Sequence, residues 1–202
     1  MNIQVTNLDT AYTSCEGLNT LVTNSGTNII GNLGTNITNL KAHWIGSDAT
    51  VHINNLISVY NALVGLVTDA KAISSAAGNA IVAMQTVRRD NGGAGSVGAA
   101  LDGSAPESEV FAKNEDTTEY KCDPLAANDL TLLEQICTDF STFKSNFSTD
   151  KDELMNNWLA GANREGAVKC FEEFMTNAEE YSKKLTGAKD NLAIAVSNLS
   201  QL

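Results

Sequence analysis

Proline is nearly missing from this chain, with two residues in 202. Little therefore forces the backbone to break, and long helices are open to it. Histidine and tryptophan are as scarce, at two each. His43 and His52, with Asp48 the one carboxylate near them in sequence, are too few for a metal site. The four cysteines, Cys15, Cys122, Cys137 and Cys170, contain no CxxC pair, which argues against a zinc ribbon or a dithiol redox motif. No glycine-rich turn sits between a strand and a helix, so no phosphate cradle is expected. Charged residues make up only 18% and the net charge is −11, an unfavourable balance for nucleic acid or an anionic membrane surface. No apolar run approaches the ~20 residues of a membrane span. The opening MNIQVTNLDT has neither a basic n-region nor an apolar h-region, so no cleavable secretory signal is expected.

What the chain does have is unevenly spread. Residues 1–89 carry four basic and four acidic side chains, residues 90–124 two and eight, residues 125–202 seven and twelve. The first stretch is neutral and rich in Asn, Thr and Ser. Such a surface is either that of a soluble but weakly charged helix pair, or one that can lie against a partner without stripping water from charges. The middle stretch, DNGGAGSVGAALDGSAPESEV and onward to Pro124, is dominated by Gly, Ser, Ala and acid. It reads as a flexible linker.

Apolar spacing predicts four helices. Ile29, Ile30, Leu33, Ile37, Leu40 and Trp44 step by three and four, continuing a stripe begun at Leu8, Cys15, Leu18 and Val22. Gly17, Gly26, Gly31 and Gly34 oppose this helix, but burying an apolar stripe outweighs propensity. Thr6 with Asp9 suggests a capping box at its start. A second helix, capped by Ser47 or Asp48, carries Leu56, Ile57, Tyr60, Leu63, Val67 and Ile81 and ends near Arg88 and Arg89. A third runs through Leu133, Ile136, Phe140, Phe143, Phe147 and Leu154, and a fourth through Phe171, Phe174, Ala178, Leu185 and Leu192. Cys15, Cys137 and Cys170 fall on these stripes and are expected as buried small hydrophobes, whereas Cys122, in the linker, is expected as an exposed thiol. The acidic pairs Glu172–Glu173 and Glu179–Glu180 read as solvated helix faces, not acid/base groups.

The two halves repeat each other. With Trp44 placed on Trp158, Leu18 falls on Leu132, Val22 on Ile136, Leu33 on Phe147, Leu40 on Leu154, Ile57 on Phe171 and Tyr60 on Phe174. Each tryptophan ends a helix just before a turn glycine, Gly46 or Gly161, which permits a tight reversal. The expected organisation is a helical hairpin over 1–89, a linker over 90–124 and a second hairpin over 125–202. The linker's 35 residues are enough to cross the length of a hairpin, as antiparallel packing of the two requires. The expected fold is all-α, two long hairpins in an antiparallel four-helix bundle.

A Trp-x-Gly turn between two long amphipathic helices resembles the WXG family, the ESAT-like substrates of bacterial type VII secretion systems. Trp44-Ile45-Gly46 matches the motif as written, and Trp158-Leu159-Ala160-Gly161 carries one inserted residue. The resemblance covers residues ~5–88 and, less closely, ~127–200. It implies a non-enzymatic protein without cofactors that leaves the cell by the type VII route, or waits in the cytoplasm before export. Its partners would be secretion machinery, an effector or a WXG-like protein, with Trp44, Gly46, Trp158 and Gly161 as the turn motif and contact residues. Family members pair two hairpins, so two on one chain imply a monomeric pseudo-dimer, with a homodimer as the other arrangement. The family's export signal, Tyr-x-x-x-Asp/Glu, follows a second helix. Here that spacing occurs only at Tyr12–Glu16, while Tyr60 and Tyr181 are followed by Val64 and Leu185, so export would rely on a signal-bearing partner. The alternative is a structural or adaptor bundle at the cell surface, which self-assembly into filaments would favour.

Overall fold

The apolar stripes become helix along nearly the whole chain. A computed structural model describes residues 4–5, 7–160 and 162–199. Helix α1 spans Leu8–Leu21 and continues through a π-helical turn, Val22–Gly26, into α2, Thr27–His43. The others are α3 (Ser47–Asp90), α4 (Ala126–Asn157) and α5 (Ala162–Leu199). The only strands among the described residues are short: β1 (Gln4–Val5), β2 (Trp44–Ile45), β3 (Lys121–Cys122) and β4 (Trp158–Ala160). The all-α expectation is what the structure shows.

Asn7 caps α1. Its side-chain oxygen accepts from the backbone N–H groups of Asp9 and Thr10, each at 3.1 Å. The expected Thr6 cap lies outside the described residues. Helix α3 begins at Ser47 with Asp48 in its first turn and ends past Arg88 and Arg89, basic residues that suit a helix C-terminus. Among the described residues α3 alone is, by length and composition, apolar enough to cross a membrane; half of its most apolar stretch is buried inside the protein.

The first helix is not the continuous rod that periodicity predicts, and the reason is one residue. Downstream of the π turn, the buried residues of the two halves match at 114 apart: Ile29 with Phe143, Leu33 with Phe147, Leu40 with Leu154, Trp44 with Trp158. Upstream they match at 115: Ala11 with Ala126, Ser14 with Asp129, Leu18 with Leu133. Leu18 therefore corresponds to Leu133, not to Leu132. The first half holds one extra residue between these points, and a π turn accommodates a single insertion without rotating either flanking stripe off the core. Gly26, at the end of that turn, sits against α3, where a Cβ would meet Val67 at 2.9 Å. Deleting the exposed Asn24 should turn the π turn into ordinary helix and change stability by no more than about 1 kcal/mol. Deleting the exposed Thr38 from within α2 would rotate the stripe and should unfold the protein. Urea denaturation of the two deletions compares them directly.

The chain forms two compact units, and each draws on both halves of the sequence. Unit 1 comprises Met1–Gly26, Leu66–Pro106 and Phe143–Ala178. Unit 2 comprises Thr27–Gly65, Glu107–Thr142 and Glu179–Leu202. In unit 1 the core is aromatic: Phe147 stacks on Phe174 with ring centroids 4.0 Å apart and meets Phe171 edge-on at 5.9 Å. In the same unit a Cβ at Gly17 of α1 would lie 3.6 Å from the carboxylate of Asp150, so α1 lies beside the last two turns of α4. In unit 2 the core is built from Ile37, Leu40, Ile53, Leu56, Leu133 and Ile136, with Tyr60 buried among them.

Candidate interaction surface

The two tryptophan turns are built alike. In unit 2, β2 pairs antiparallel with β3, Trp44 opposite Cys122 and Ile45 opposite Lys121. The backbone N–H of Asp123 adds a 2.8 Å bond to the carbonyl of His43. In unit 1, β4 pairs antiparallel with β1, Val5 opposite Trp158 and Gln4 opposite Ala160. Each turn is thus closed by the segment that precedes the first helix of the other hairpin. Trp44 is 5% exposed and Trp158 1%, so both rings are buried wedges. Arg164 Nε donates to the Trp158 carbonyl, satisfying a group that the end of α4 leaves open. Gly46 has φ +142°, a conformation that favours glycine, and Tyr120 lies 3.0 Å from where its Cβ would be. Gly161 lies outside the described residues.

Around the first turn, polar groups are buried in a set that the sequence did not announce. His43 Nδ1 lies 2.7 Å from Asp129 Oδ2, and Asp129 is 2% exposed. Asn36, fully buried, donates to the Asp129 backbone carbonyl at 2.7 Å. The first turn of α4 is so fixed to the end of α2. His52 packs its ring 5.3 Å from that of Trp44, and its Nε2 is buried without a hydrogen-bond partner. Among the described residues no three His, Cys, Asp or Glu side chains converge as a metal site would need.

Burial pushes the His52 pKa from 6.5 down to about 4. The folded protein keeps this ring neutral, whereas the unfolded chain takes up a proton below about pH 6.5. Stability is unaffected by His52 above that pH, falls as the pH drops from 6.5 towards 4, and levels below 4. The loss over that window should be on the order of 3 kcal/mol. Urea unfolding of the parent and of His52→Phe at pH 7, 5.5 and 4 isolates it from the carboxylates: the parent should lose stability more steeply. Parallel losses in both would show that His52 is already hydrated in the folded state.

The neutral Asn-, Thr- and Ser-rich face has an occupant, and it is the chain's own Gly/Ser/acid-rich segment. No helix forms over 91–120; the segment is laid along the helices as a strap. In unit 1, Gly98 N–H donates to Gln85 Oε1 at 2.9 Å, Tyr12 donates to the Ala99 carbonyl at 2.9 Å, and Asn19 to the Asp102 carbonyl at 2.8 Å. Asn79 holds both backbone groups of Leu101, accepting at 2.9 Å and donating at 3.3 Å. In unit 2, Asn54 does the same for Asn114, at 2.8 and 3.1 Å, and Lys41 and Thr50 donate to the carbonyls of Ala112 and Glu115. Side-chain amides here take the part of a neighbouring strand, satisfying a backbone that has no ladder of its own.

Three bulky side chains anchor the strap over glycines. Leu101 sits at Gly78, where a Cβ would overlap it. Phe111 lies over Gly34 and meets Tyr60 edge-on at 5.0 Å, and Tyr120 lies over Gly46. Val110, next to Phe111, points to solvent at 98% exposure. Asp102 pairs with Lys71 at 3.3 Å, and hydrogen bonds from Ser104, with that lysine second, hold its pKa down at about 2. Isolated bulky residues within a Gly/Ser/acid stretch were the available sign of these anchors.

The remaining candidates sort out simply. All four cysteines are free thiols; Cys15 is buried, and burial pushes its pKa up to about 12. Cys137 and Cys170 are only half-buried, and Cys122 is half-buried in β3 and not the exposed thiol expected, because β3 packs it opposite Trp44. The acidic pairs on α5 are exposed and meet lysines one turn away: Lys169–Glu173 at 3.8 Å, Lys183–Glu179 at 4.0 Å and Lys184–Glu180 at 2.6 Å. Compared with known proteins, the chain matches no protein-family model, no curated protein and no solved structure.

Proposed function

We propose that this chain is a non-enzymatic binding protein, a substrate or partner of a type VII secretion system, whose two hairpins pair antiparallel in a four-helix bundle as a fused pseudo-dimer. The observation that carries the reading is the equivalence of the two turns. Each buried tryptophan opens a short strand, and each strand is closed by the segment leading into the other hairpin. Two separate hairpins related by a two-fold axis would exchange their leading segments in this way. Gly17 of α1 beside Asp150, near the end of α4, in unit 1 supports the antiparallel sense. With pairing satisfied within one chain, light scattering should give one chain's mass, 21.4 kDa. The localisation that goes with the reading is outside the cell by a route without a cleavable signal, or in the cytoplasm before export. Expression in a strain carrying a type VII system, and in its twin with an inactive secretion ATPase, tests it. The chain should reach the medium only from the first. Equal release from both strains, or retention in both, would sink the proposal.

A further inference from the structure

Unit 1 leaves an open groove between α3 and α5. Its wide part, about 460 Å3, is walled by Ala76, Ala80, Gly166 and Ala167, with Trp158 lining it. A continuation of about 230 Å3 is lined by Asp69 and by Glu173, whose carboxylate also lies 3.8 Å from Lys169 Nζ. Ile73 and Cys170 line both parts, so the groove is continuous.

Three observations among the described residues single out this place. Gly166 has nothing within 4 Å of where a Cβ would be, so the fold does not require glycine there. Glycine inside a helix costs about 1 kcal/mol relative to alanine, and the chain keeps it beside an empty groove. Trp158 is 1% exposed, yet its Nε1 is buried with no hydrogen-bond partner among the described residues, an unusual state for a buried donor. The groove is also polarised: small apolar walls at one end, two carboxylates at the other.

We infer that the groove receives an amphipathic helix of a partner protein, with a bulky apolar side chain over Ala76 and Gly166 and a Lys or Arg at Asp69 and Glu173. Asp69 and Ala76 are seven residues apart on α3, two turns or about 10 Å. In a partner helix running antiparallel to α3 the basic residue therefore falls at i+7 from its apolar anchor, the spacing at which a helix presents one face to a groove. A second copy of this chain is the weaker fit, since each chain carries a net charge of −11. The inference rests on the reading of the chain as a protein-binding bundle, but not on its export route.

A stapled helical peptide with Leu at i, i+3 and i+4 and Lys at i+7 serves as the probe, titrated into the full-length protein by calorimetry. Trp44→Phe leaves Trp158 as the only tryptophan, read by excitation at the red edge where tyrosine does not absorb. The expected result is saturable binding that shifts Trp158 emission and weakens about tenfold when the peptide Lys is replaced by Glu. Gly166→Leu fills the groove, and because nothing stands within 4 Å of that position it should keep the melting temperature while abolishing binding. Ala76→Leu, on the exposed side of α3, repeats the test from the other wall. Peptide binding that both variants leave intact, or no binding at all, would overturn the inference. Export that persists alongside either failure removes the groove while the secretion reading stands.

Discussion

Trp158→Ala is expected to cost roughly 3–5 kcal/mol of folding stability, and Trp44→Ala nearly as much. Both rings are buried, at 1% and 5% exposure, and neither site can collapse easily. Each ring lies where a helix ends, a strand pairs and the next helix starts. Removing it leaves a cavity at the point that fixes three elements at once. For a chain of this size the melting temperature should fall on the order of 10 °C. Trp→Phe at either position keeps much of the apolar volume and should recover more than half of the loss. Thermal melts of the four variants are sufficient. A shift of a degree or two in the alanine variants would mean that the rings are not wedges, and would return them to the role of partner contacts.

Asp129→Ala should be the next most damaging single change, at about 3 kcal/mol. Its carboxylate is 2% exposed and 2.7 Å from His43 Nδ1, an interaction 86 residues apart in sequence. Removing one member of a buried pair strands the other, which makes the loss larger than the worth of the pair itself. His43 keeps 23% of its side chain exposed, so it is partly rescued by water, and the loss sits at the lower end of the usual range. A double-mutant cycle in urea with His43→Gln gives the coupling. A loss under about 1 kcal/mol for Asp129→Ala would class the pair with surface ion pairs, which contribute little.

Helical stripes were legible because they depend only on local spacing. Leu33, Leu40, Phe147 and Leu154 are buried as their period predicts, and the Trp-centred repeat places equivalent residues in the two cores. The π turn was not legible as such, since nothing in VTNSG demands it. Its trace was the pairing of Leu18 with Leu132, one residue short of the buried Leu133. A single-residue slip is invisible to a pattern that tolerates steps of three or four. The strap escaped for a different reason. Gly, Ser and acid report low local order, while what holds residues 96–115 are amides and hydroxyls far away in sequence, such as Asn54, Asn79 and Gln85. The neutral face reads either as a weakly charged solvated surface or as a surface for a partner; the segment that lies on it is already in the chain. The Asn36–Asp129–His43 set was hidden likewise, because Asp129 looks like an ordinary acidic residue in the first turn of a helix.

The proposed antiparallel pairing of the two hairpins is most directly tested by a disulfide between α1 and α4. In a background with the four native cysteines replaced, Gly17→Cys is combined with Asp150→Cys. The Cβ position of Gly17 lies 3.6 Å from the Asp150 carboxylate, close enough for a sulfur–sulfur bond to form with small adjustments. The comparison pair is Gly17→Cys with Thr131→Cys, which parallel packing would bring together; in the antiparallel bundle, 131 is 19 residues from 150 along α4, about 28 Å away. Mild oxidation followed by non-reducing electrophoresis and mass spectrometry should give rapid intramolecular closure for the first pair and none for the second. Closure of the second pair with the first left open would contradict the pseudo-dimer and the function built upon it.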